Sequence, residues 1–132
     1  MPTVTAFGVT QAHGSFEKLG LERRELEPHD VLIKIAFAGI CHSDIHTVRG
    51  EWGSITYPMI PGHEIAGVIE AVGSEVTSFK VGDRAGVGCF VDACGECENC
   101  LLGANNYCLS GSTATYNGVD KYGMPTAAGI ST

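Results

Sequence analysis

Four cysteines fall within fifteen residues, spaced Cys94-x2-Cys97-x2-Cys100-x7-Cys108, and this cluster constrains the chain more than any other feature. A zinc ion takes four thiolates in a tetrahedron at about 2.3 Å, and cysteines two residues apart can grip one ion from a tight turn. Gly95 and Gly103 supply the backbone freedom that such turns require. Four thiolates leave no open coordination position, which describes a structural site. An iron–sulfur cluster also uses four cysteines, and the bare spacing does not exclude it.

The rest of the composition decides against a disulfide scaffold. Six cysteines in 132 residues would suit a small secreted framework, but 44% of the residues are hydrophobic, enough for an ordinary core. The N-terminal Met1-Pro2-Thr3-Val4-Thr5-Ala6-Phe7 has no basic segment leading into an apolar block, so no secretory signal is expected. The expected setting is the reducing cytoplasm. No apolar run approaches the ~20 residues of a membrane span. Eight scattered Lys and Arg against fifteen Asp and Glu give a net charge of −7, which argues against nucleic acid as a partner.

Along the chain, glycines punctuate short β-rich runs. Val31 to Ile40 partly alternates around Lys34 and predicts a strand with one buried face. Ile65 to Val72, then Gly73-Ser74-Glu75, predicts a strand entering a turn. Ala85 to Val91 predicts another strand, with Cys89 in it as a small buried hydrophobe. Ser43 to Gly50 predicts a short helix, and no long helical period appears. From Asp92 to Cys108 the apolar pattern gives way to the cysteines, so that lobe needs a metal to hold it. The expected fold is mainly β, a partly open barrel over residues 1–132 with a four-cysteine zinc lobe at 92–110 and few short helices.

Two further islands stand where strand-like runs meet turns: Gly39-Ile40-Cys41-His42-Ser43-Asp44-Ile45-His46, and Pro61-Gly62-His63-Glu64-Ile65-Ala66-Gly67. Together they offer a thiolate, an imidazole and carboxylates, the ligand types of an open zinc site. Asp44 is a candidate to hold the far ring nitrogen of His63. The chain resembles the zinc-containing alcohol dehydrogenases of the medium-chain dehydrogenase/reductase superfamily, with a GroES-like catalytic barrel. The resemblance rests on Gly62-His63-Glu64, Gly67, Gly73 and Val76, on the Cys41-to-His46 run, and on the four-cysteine lobe in family order. With Glu51-Trp52-Gly53, it looks most like the cinnamyl-alcohol-dehydrogenase branch.

That resemblance implies a catalytic zinc on Cys41 and His63, with Glu64 beside it and able to enter the coordination shell. It implies Ser43 as acceptor of the alcohol proton, His46 as a relay, His42 facing the cofactor pyrophosphate, and Trp52 lining the substrate pocket. The implied chemistry is interconversion of primary alcohols and aldehydes with NADP(H), in a homo-oligomer. Simpler roles stand beside these: Ser43 as a helix cap, His46 as a solvent-facing helix residue, Trp52 as core packing. His13 and His29 join no constellation and are expected at the surface.

No Gly-x-Gly-x-x-Gly between a strand and a helix is present, so the nicotinamide domain is expected to be missing, together with the third zinc ligand. The 132 residues alone are therefore expected to lack hydride transfer. The alternative is a non-enzymatic zinc-binding GroES-like module. Pro125 to Thr132 departs from the family pattern, and exposed strand edges are expected to favour self-association.

Overall fold

A computed structural model describes residues 3–127. The first hairpin pairs β1 (Thr3–Gly8) with β2 (Glu17–Glu22), antiparallel, in register from Thr3–Glu22 to Gly8–Glu17. The central sheet has the order β3 (Val31–Gly39), β4 (Glu64–Val72), β5 (Arg84–Val87), all antiparallel. A third pair joins β6 (Phe90–Asp92) to β7 (Thr113–Ala114). Three short sheets of this kind make the partly open barrel expected from the sequence.

Alternation in β3 holds as read: Leu32 and Lys34 are exposed, and Ile33 and Ile35 are partly covered. The register then shifts between Ile35 and Phe37, a bulge opposite Gly67 and Ala66. Gly67 is required at this crossing. A Cβ there would collide with the Lys34 carbonyl oxygen and crowd the Ile33 side chain. The family glycine therefore marks a close strand approach. Among the described residues, β3 and β5 each pair only with β4.

The hairpin is tied to the rest by a two-way bridge. The Val9 N–H donates to the Met59 carbonyl at 2.9 Å, and the Met59 N–H returns to Val9 at 2.8 Å. Val9, Met59, Val48 and Tyr116 form the buried cluster, with Ile55 and Tyr57 packed against it. Val48 ends α1 (His42–Val48), the short helix predicted after Cys41.

One expected strand is divided. Ala85 to Val91 breaks at Gly88 and Cys89, where the chain leaves the central sheet and joins β7 instead. Thr115 holds the break: its N–H donates to the Cys89 carbonyl at 3.0 Å and its hydroxyl to the Gly88 carbonyl at 2.5 Å. Cys89 is consequently exposed, not buried as the apolar run suggested. The lobe between β6 and β7 holds only α2 (Glu98–Leu101) and a 3-10 turn at Asn105–Tyr107. Of the terminal stretch that departs from the family, residues 128–132 lie outside the described residues.

Candidate metal centres and adjoining cleft

The four-cysteine lobe is organised around its sulfurs. The Sγ atoms of Cys94, Cys97, Cys100 and Cys108 all lie within 4.8 Å of one another, with Cys94 and Cys100 at 3.9 Å. Sulfurs at tetrahedral corners about 2.3 Å from one ion would sit about 3.8 Å apart. An iron–sulfur cluster places its thiolates on different irons and so farther apart. The spacing fits a single ion such as zinc.

Backbone N–H groups point at these sulfurs. Cys97 donates to Cys94 at 3.3 Å, Cys94 to Cys108 at 3.4 Å, and Leu109 to Cys97 at 3.4 Å. The Glu96 and Cys97 amides pull the Cys94 thiol down to about 6, and those of Leu109 and Cys100 lower Cys97. Burial pushes Cys100 the other way. A cation is what allows all four to ionise together. Gly95 and Gly103, at φ of 76° and 79°, turn the chain as their spacing predicted.

The second set arises at the paired ends of β3 and β4. Gly39 is the register partner of Glu64, so Cys41, two residues past Gly39, arrives beside His63 and Glu64. One ligand atom from each of Cys41, His63 and Glu64 lies within 4.8 Å of the others. Three donors that leave a side open differ from the closed lobe, and they fit a metal with a vacant position.

Asp44 supports this set from beneath, buried to 2% exposure. Its Oδ2 accepts the Cys41 N–H at 2.9 Å, closing the first turn of α1. Its Oδ1 accepts the Tyr116 hydroxyl at 2.7 Å and lies 3.6 Å from His63 Nδ1. That second distance is ion-pair contact, beyond hydrogen-bond length. The Tyr116 and His63 rings stack at 5.7 Å, 4° from parallel. Burial, then the Asp44 carboxylate, pushes the Tyr116 phenol up to about 12, against smaller opposite effects of Thr47 and Ser43. Tyr116 therefore remains a donor.

A cavity of about 290 Å³ opens beside the set, lined by Ser43, Thr47, Trp52, His63, Cys89 and residues 114–117. Ser43 Oγ is buried and makes no hydrogen bond of normal geometry. A buried orphan hydroxyl costs about 1–3 kcal/mol unless a ligand satisfies it. Trp52 is 64% exposed, so it lines the cleft and is not core packing. It stacks on His46 at 4.7 Å, and His46 lies 4.6 Å from His42, ring to ring. His46 Nδ1 pairs with the Glu51 carboxylate and holds it below its ordinary range. His42 and His46 are not among the residues lining the cavity.

A larger groove of about 650 Å³ lies between the lobe and the 117–121 loop. Its charged groups are already engaged: Asp92 with Lys121 at 3.6 Å, and Asp120 with Arg24 at 3.2 Å. Sequence reasoning did not single out Tyr116, the pairing of Glu51 with His46 or the exposure of Cys89. No motif includes Tyr116, which meets Asp44 only through the fold.

A mainly β domain with a closed four-thiolate lobe and an open Cys–His–Glu set is thus defined. Residues 27–129 match the family described as the alcohol dehydrogenase GroES-like domain, and the chain belongs to that family. It is 57% identical over 132 residues to NADP-dependent alcohol dehydrogenase C 1 of Mycolicibacterium smegmatis, covering 99% of this chain and 38% of that protein. The crystal structure of CAD from Helicobacter pylori complexed with NADP(H) superposes with a TM-score of 0.92 at 42% identity, covering 98% of this chain and 38% of that one. A cinnamyl alcohol dehydrogenase of Sorghum bicolor gives the same TM-score at 43% identity, over 98% of this chain and 37% of that one. The chain thus spans well under half the length of these relatives.

Proposed function

We propose that this chain is the metal-binding catalytic domain of a zinc-dependent alcohol dehydrogenase that interconverts primary alcohols and aldehydes with NADP(H). The observation that carries the proposal is the convergence of Cys41, His63 and Glu64 beside a cleft into which the unpartnered Ser43 hydroxyl opens.

In this reading Cys94, Cys97, Cys100 and Cys108 hold a structural zinc. Cys41, His63 and Glu64 hold the catalytic one. Zinc supplies Lewis-acid polarisation of the substrate oxygen, and the nicotinamide cofactor supplies or accepts the hydride. Ser43 Oγ takes the alcohol proton. His46, one turn further along α1 and paired with Glu51, passes it towards solvent. Trp52 forms a flat wall suited to an aromatic or extended substrate, and His42 faces the cofactor pyrophosphate.

Cofactor binding is assigned to the part of the relatives that these residues do not cover, and the 132 residues alone do not transfer hydride. The free cysteines suit a reducing cytoplasm. Among the described residues the outer edges of β3 and β5 are unpaired, which suits association with a second copy.

Native mass spectrometry after zinc loading tests the ligand assignment. Two ions per chain are expected, falling to one in Cys41→Ser and in His63→Ala. Unchanged stoichiometry in both variants would remove the catalytic site from the proposal. NADPH oxidation with cinnamaldehyde by the 132 residues alone would overturn the assignment of the cofactor site elsewhere.

A further inference from the structure

Tyr116 belongs to none of the motifs, yet it touches the Cys41–His63–Glu64 set by two routes. Its hydroxyl donates to Asp44 Oδ1 at 2.7 Å. That carboxylate lies 3.6 Å from His63 Nδ1 through the same oxygen, and accepts the Cys41 N–H through the other. Its ring lies nearly parallel to the His63 imidazole.

The residue is also firmly seated. Tyr116 is 8% exposed in the cluster with Val9, Val48 and Met59, which the Val9–Met59 bridge ties together. Thr115, next to it, is clamped to Gly88 and Cys89 by two hydrogen bonds. A carboxylate held only by the Cys41 amide could still turn about its own bond, and an imidazole in an open site could tilt. Tyr116 removes both freedoms with one buried side chain whose neighbour Thr115 is anchored.

We propose that Tyr116 is a positioning residue for the metal site, its hydroxyl fixing the Asp44 carboxylate and its ring fixing the plane of His63. Core packing is thereby carried to the ligand set, and the donors are held at ion-binding spacing. The hydroxyl donates to Asp44, so Tyr116 acts on the ligand set through that carboxylate. This inference rests on the reading of Cys41, His63 and Glu64 as metal ligands.

Cobalt(II) titration of the metal-free chain, read by visible absorption and native mass spectrometry, tests it. Tyr116→Phe keeps the ring and removes the hydroxyl. It is expected to raise the Kd of the second ion about tenfold, as loss of an outer support does, and to shift that ion's absorption. Binding in the four-cysteine lobe should not change. Tyr57→Phe is the control, because its hydroxyl donates to the Val48 carbonyl at 3.0 Å against the same cluster and not to Asp44. It should leave the second Kd within about twofold of the wild type.

Asp44→Asn should weaken the second ion as well, and adding Tyr116→Phe to it should cause little further loss. Wild-type affinity in Tyr116→Phe would overturn the inference. So would equal losses in Tyr116→Phe and Tyr57→Phe, or full additivity with Asp44→Asn, since either result assigns the effect to packing alone. A wild-type chain that takes up one ion only sinks the ligand assignment itself, a result distinct from all of these.

Discussion

Glu64 faces Gly39 across the β3–β4 register, and a Cβ at position 39 would collide with the Glu64 carboxylate. The glycine makes room for a side chain that leans over the end of its partner strand toward Cys41 and His63. Gly39→Ala should therefore turn Glu64 away from the set. We expect a stability loss of at most about 1 kcal/mol, since an exposed carboxylate can swing aside, and weaker retention of the second metal ion. Urea denaturation and native mass spectrometry of the variant check both parts, and an unperturbed ion affinity would show that Glu64 does not contribute.

Metal removal should act first on the lobe. Its α2 and 3-10 turn are too short to persist alone, and Leu101, Leu102, Tyr107 and Leu109 are all exposed, so little apolar burial holds it. A chelator, or Cys97→Ser, should raise hydrogen exchange across residues 92–110 while the β3–β4 amides stay protected. Uniform loss of protection in both regions would mean that the lobe and the sheet unfold as one unit.

Ser43→Ala separates stability from ligand binding. The buried hydroxyl makes no hydrogen bond of normal geometry, so its removal should leave stability unchanged or raise it by up to about 1 kcal/mol. Binding of an alcohol in the cleft should weaken. Quenching of Trp52, the single tryptophan of the chain, reports that binding directly. A loss of stability above about 1 kcal/mol would reveal a hydrogen bond that Ser43 makes within the protein.

Acid should weaken the turn before β3. Burial alone would raise the Asp30 carboxyl, but the forked Arg24 guanidinium and the Glu27 N–H, which donates at 2.9 Å, hold it below its ordinary 3.8. The stability it adds is complete above that ordinary value and disappears as pH falls through the lower value of the folded state. Arg24 is a third exposed, so screening limits the pair to about 0.5–1 kcal/mol. Asp30→Asn should cost about that much at pH 7 and progressively less as the pH falls below 3.8, by thermal melts at pH 7 and at an acid pH. An equal cost at both would assign the effect to hydrogen bonding alone.

Much of the site was legible because its parts are local. Ligands two residues apart announce a metal lobe in any fold that lets the loop turn, and Gly95 and Gly103 turn it as expected. Alternation around Lys34 located β3, and the end of that run located Cys41. The Asp44 carboxylate was readable as a neighbour for His63, and the structure places it 3.6 Å from the His63 ring while also closing the first turn of α1.

What escaped the sequence depends on register and on sheet exchange. The apolar run from Ala85 to Val91 has the composition of one buried strand, but it breaks at Gly88 and Cys89, where Thr115 bonds both carbonyls, its end joins a different sheet, and Cys89 is exposed. Tyr116 lies 72 residues from Asp44, with nothing in its own neighbourhood to mark it. The sequence by itself determined the four-cysteine lobe, the strand runs and the candidate donors, because those are set by spacing along the chain. Only the tertiary structure decided that Gly39 faces Glu64, that Ser43 is left without a partner and that Tyr116 underpins His63. Such contacts follow from which strand ends meet, and strand pairing is a cooperative outcome of the whole core that no local pattern encodes.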